Sequence, residues 1–136
     1  MNNILEIKCA KIDLIAKDVI YIKYGMDCYV EIEDVKELDI KIRSYLNGKE
    51  IYAISDFSNQ FVSFSKEAQQ FMAKEASFIK QLLGSAIVIN NLPTRLLVRF
   101  FMNFHKPNYS FEIFANLDDA KDWIVELKQK DQKIAS

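Results

Sequence analysis

Residues Ala86-Ile87-Val88-Ile89 form an almost purely apolar run of strand length, and this run constrains the fold more than any other stretch. A strand without polar alternation has to be covered on both faces, which is the position of a parallel strand inside a layered α/β protein. The sequence on either side agrees. Upstream, Ser65 reads as the N-cap of a helix through residue 83, with Ala68, Phe71, Met72, Ala76, Ile79, Leu82 and Leu83 on one face and Gly84 closing it. Downstream, Pro93 opens a helix that runs to His105 and stops before Pro107, because the residue before a proline avoids helical geometry.

The remaining segments extend this alternation. Residues 4–11 mix apolar and polar side chains as a half-buried strand that continues or bends through residue 15, and residues 19–24 have the β-branched and aromatic density of its hairpin partner. A helix over residues 33–46 carries Val35, Leu38, Ile42 and Leu46 on one stripe and ends at Asn47-Gly48. Ile51-Tyr52-Ala53-Ile54-Ser55-Asp56 is a strand ending in polar residues. Residues 109–114 alternate cleanly, and Asn116 with Asp119 three residues later caps a last helix bearing Ala120, Trp123, Ile124 and Leu127. The order is β-β-α-β-α-β-α-β-α. It predicts one α/β domain over residues 1–130, with a mixed central sheet of about five strands and four helices, and a frayed tail over 131–136.

Composition excludes several function classes. With 18 Lys and Arg against 19 Asp and Glu, the chain has no overall field for nucleic acid, and no apolar segment is long enough for stable membrane insertion. Two cysteines, Cys9 and Cys28, are too few for a disulfide framework or zinc site and read as free thiols in a reducing cytoplasm. One histidine, His105, and isolated carboxylates provide no nucleophile–base pair, metal cluster or phosphate loop. No cofactor, catalytic residue or metal ligand is expected, and the chain does not read as an enzyme.

The strand 51–56, its loop and the helix from Ser65, then the apolar strand 86–89, the Arg/Phe-rich helix and the strand Tyr109-Ser110-Phe111-Glu112-Ile113-Phe114 before Asn116-Leu117-Asp118-Asp119-Ala120, resemble the STAS domain. Its best-known members are the bacterial anti-sigma-factor antagonists. The order is also similar to the small bacterial proteins grouped with STAS and CRAL-TRIO lipid-binding domains. The antagonist likeness implies a phosphorylatable serine at the helix start, placing candidates at Ser63 and Ser65. The Asp and Gly that flank that serine in the family are absent here.

Two binding surfaces follow. In an open α/β sheet, ligands meet the carboxyl ends of the strands, so Asp56, Phe57, Ser58, Phe61, Phe64 and Ser65 form a candidate contact loop for a protein partner. The different-class alternative is a small apolar or lipid-like ligand held between the helix 93–105 and the sheet, with Arg95 and Arg99 as candidate anion contacts. A homodimer is compatible with the sequence but not required by it.

Overall fold

The computed structural model describes residues 2–25, 28–58 and 62–135. Strands β1 (Asn2–Ile7), β2 (Ala10–Ala16) and β3 (Val19–Tyr24) open the chain, followed by β4 (Tyr29–Val30), α1 (Ile32–Leu46) and β5 (Ile51–Asp56). Then come β6 (Ser63–Phe64), α2 (Lys66–Lys74), a 3₁₀ turn over Ser77–Gln81 and β7 (Leu82–Val88). Helix α3 (Leu92–His105), β8 (Ser110–Phe114) and α4 (Leu117–Ala135) complete it. The main sheet has the order β1-β2-β3-β5-β7-β8, antiparallel across β1 to β3 and parallel from β3 to β8. Strands β4 and β6 form a separate parallel pair.

The expected α/β class, mixed sheet and four helices are found. The main sheet holds six strands, because residues 4–15 are not one bent strand. The chain reverses at Lys8 and Cys9, so that Ile7 faces Ala10 across the hairpin. Neither turn residue takes a positive φ, and no Gly, Asn or Pro marks the reversal, which removes the usual signal for a two-residue hairpin.

Alternation along the parallel strands splits the core into two layers. Ile20, Ile22, Ala53 and Ile87 face the layer built with α1, α2 and Met102 of α3. Val19, Tyr21, Tyr52, Ile54, Ala86 and Val88 face Ala120 and Ile124 of α4. Gly84 lies inside β7 rather than closing a helix. A Cβ there would run into Leu127 Cδ2 of α4 and sit 3.3 Å from Tyr52 Cδ1, so the missing side chain lets α4 approach the sheet.

Three further expectations are corrected. Helix α2 stops at Lys74 instead of running to residue 83. The Phe71 carbonyl accepts from both Glu75 N and Ala76 N, and the buried Asp39 of α1 then takes the Phe78 amide at 2.8 Å while pairing with Arg43 at 3.2 Å. A carboxylate on a neighbouring helix thus offers the backbone a better partner than another helical turn. The tail from residue 131 is the end of α4, and Asp131 accepts a hydrogen bond from the Tyr52 hydroxyl. Cys9 and Cys28 are not free thiols but a disulfide with a Cα separation of 5.9 Å. The Gly25 amide donates to the Cys9 carbonyl at 2.8 Å, carrying the antiparallel β2–β3 pairing one position past Ala10 and Tyr24 to Cys9.

Candidate functional site

Asp56 ends β5 and is buried on the α4 side of the sheet, where its carboxylate organises the start of the following loop. It accepts from the Ser58 amide at 2.8 Å, the Ser58 hydroxyl at 2.5 Å and the Tyr21 hydroxyl, with Lys23 Nζ at 3.5 Å. Burial raises its pKa, but the Ser58 and Tyr21 hydroxyls, the Ser58 amide and the Lys23 charge together outweigh that cost and hold it below the usual carboxylate value. The Tyr21 phenol is pushed up by burial and by Asp56, so the pair keeps its proton on the tyrosine.

The described aromatics of the loop turn inward. Phe57 is buried and stacks on Tyr24 with ring centroids 4.4 Å apart, and Phe64 meets both rings edge-on at 5.9 and 6.1 Å. Edge and offset-stacked pairs of this kind add packing energy beyond their buried area. Phe57 and Phe64 are therefore wall residues rather than projecting anchors. Phe61 lies outside the described residues. Ser65 is buried and its hydroxyl accepts from the Ala68 amide at 3.0 Å, the N-cap role, whereas Ser63 is exposed on β6.

The wall belongs to a cavity of about 160 Å³ between the sheet and α3. Its sides come from Tyr24, Phe57, Phe64 and Ile87, its roof from Val98, Phe101 and Met102. Ser55, Ser85 and Gln69, with the tyrosines Tyr24 and Tyr109, are its polar lining residues. Ser55 is the one residue of β5 that is not fully buried, because it faces this space. A second hollow of about 450 Å³ shares Met72, Ile79, Leu82, Phe101, Met102 and Tyr109 with the first and is rimmed by Lys80, His105 and Lys106. The Tyr109 phenol, common to both, is pushed up to about 12 by burial and stays a hydrogen-bond donor. The space thus runs from an apolar interior to a cationic mouth.

Helix α3 is a loose roof. Asn91 caps it by accepting from the Thr94 amide at 2.9 Å, and Lys106 ends it in the left-handed conformation. Met102 is its sole buried residue. Arg95 and Arg99 do not reach the cavity; both are exposed on another side of the helix. Lys106, just past the end of the helix, does line the outer hollow.

Among the described residues, no three His, Cys, Asp or Glu side chains are grouped to hold a metal ion, and no helix is long and apolar enough to cross a membrane. A family model, "Domain of unknown function (DUF7793)", matches residues 14–128. The chain belongs to the DUF7793 family. The DUF7793 domain is similar in structure to an uncharacterized protein of the DUF3478 family with a SpoIIAA-like fold from Shewanella loihica PV-4. The two share 22% identity with a TM-score of 0.63, over 84% of this chain and 90% of that one. A likeness at this level establishes the fold, and with it the STAS-like architecture read from the strand and helix order. No curated protein matches the sequence significantly.

The cavity of the DUF7793 domain collects residues that the sequence left in separate categories. Tyr24, Ser55, Ser85 and Tyr109 carried no signal of their own, since each occupies an ordinary strand or strand-flanking position. Phe57 and Phe64 were legible as unusual in a loop, but not which way they turn.

Proposed function

We propose that the DUF7793 domain is a non-enzymatic binding module that takes a small apolar or lipid-like ligand into the space between α3 and the sheet. The observation that carries this reading is the apolar cavity of about 160 Å³. An engineered cavity of about 150 Å³ with Leu, Ile and Phe walls stays dry and binds benzene, so this space suits a ring or a short hydrocarbon segment. The few hydroxyl and amide groups in its wall match the usual makeup of ligand sites, in which a small number of polar groups fix orientation. The outer hollow, with Lys80 and Lys106 on its rim, fits an anionic end of the same molecule. The CRAL-TRIO resemblance of the sequence points the same way.

A protein partner at residues 57–65 rests on less. Among the described residues of that segment, Ser63 alone is fully exposed, and Phe57, Val62 and Ser65 are buried.

Native mass spectrometry of freshly purified protein tests the reading. A bound small molecule that is shed on collisional activation is expected, together with its loss from a Ser55→Leu variant whose new side chain fills the cavity. Bare protein from every preparation, or an adduct equally present in Ser55→Leu, contradicts it.

A further inference from the structure

Helix α3 has a third side that neither roofs the cavity nor is covered by the fold. Successive residues step about 100° around a helix axis, so Leu92, Leu96, Phe100 and Phe104 form one continuous outward stripe, with Leu97 between it and the cavity, which Leu97 also borders. All five are exposed, and Phe100 and Phe104, at 71% each, stack on one another with centroids 6.3 Å apart. An exposed row of large apolar side chains on this scale marks an interaction surface. Arg95 and Arg99 flank the stripe on one side, with Lys106 just past its end. None of the three is in an ion pair among the described residues.

Charge selects the occupant. Residues 76–111 contain Lys80, Arg95, Arg99 and Lys106 and not one Asp or Glu, although the whole chain is slightly acidic. A second copy docking across a two-fold axis through α3 would oppose arginines to arginines, with no acid on either helix to pair them. The stripe is also a convex ridge, unlike the concave grooves that receive peptide helices. An anionic lipid surface requires no matching concavity and offers negative charge to the flanking arginines. Helices that lie in a bilayer interface carry this pattern, with Phe and Leu on one face and Arg or Lys at its margins.

We infer that the outer face of α3 docks on anionic bilayers, Leu92, Leu96, Phe100 and Phe104 entering the headgroup–acyl boundary and Arg95 and Arg99 meeting lipid phosphates. Docking uses the outward side of the helix and does not depend on an occupied cavity. It places the roof of the cavity at the surface from which an apolar ligand would come.

Vesicle co-sedimentation tests this, with phosphatidylcholine vesicles containing phosphatidylglycerol compared against phosphatidylcholine alone. Wild-type protein is expected to sediment with the anionic vesicles and to be released by high salt. Arg95→Gln with Arg99→Gln should weaken binding about thirty-fold at low salt, taking about 1 kcal/mol for each basic residue near an anionic surface. Phe100→Ser with Phe104→Ser should abolish it while the variant still unfolds in one cooperative thermal transition, since both rings lie outside the core. The cavity-filling Ser55→Leu variant should bind vesicles as wild type does, which separates failure of docking from failure of the ligand reading. No binding to anionic vesicles, binding insensitive to the Phe pair, or a wild-type dimer made monomeric by the Phe pair would overturn the inference.

Discussion

Asp56 shows how one side chain can sit at the expected site and still have a structural task. Its carboxylate is buried among the Ser58 amide and hydroxyl, the Tyr21 hydroxyl and Lys23. Because its pKa is lower folded than unfolded, its contribution is complete above the unfolded carboxylate range and is lost as pH falls through the folded value. Asp56→Asn keeps the shape but loses the charge-assisted bonds. It should cost about 1–3 kcal/mol at neutral pH and flatten the acid limb of stability against pH. Equal denaturation midpoints for variant and wild type at pH 7 would contradict that role. In the sequence Asp56 was legible as the polar end of an apolar strand. Its partners were not, because Tyr21 and Lys23 come from a different strand and are brought alongside only by the parallel β3–β5 register.

At the scale of elements, helix existence was more legible than helix length. Stripes and caps located α1, α3 and α4, and Asn116 and Asp119 pair across the α4 start as their spacing implied. Helix α2 was overdrawn because its apolar period continues past Lys74, while the stop comes from Asp39 on α1. A tertiary hydrogen bond leaves no local trace. The β1–β2 turn was missed for a related reason: its two residues are ordinary ones, and the disulfide from Cys9 to Cys28 joins two segments whose approach spacing cannot reveal. Thiol counting on the unfolded, non-reduced protein should find no free cysteine, and mutating both cysteines to alanine should lower stability by about 3 kcal/mol by the loop-entropy relation. Two titratable thiols in protein never exposed to reductant would contradict the bond.

For the whole molecule, the layered α/β class followed from strand-length apolar runs between amphipathic helices, and the comparison structure has the same fold. The candidate site was half legible. Both a helix-over-sheet space and an aromatic loop were marked, but periodicity cannot say that Phe57 and Phe64 turn into that space or that Arg95 and Arg99 turn away from it. The near-zero net charge also concealed the acid-free segment over residues 76–111, since a sum over the chain erases where the charges lie. The DUF7793 domain is thus a sheet sealed by α4 on one face and covered by α1, α2 and, incompletely, α3 on the other. Titration of the protein with decanoate, followed by NMR shifts of methyl groups from Ile87, Val98 and Met102, tests that arrangement most directly. Saturable shifts at these residues in wild type, absent in a folded Ser55→Leu variant, are predicted; no saturable shifts, or the same shifts in both proteins, would contradict a ligand site beneath α3.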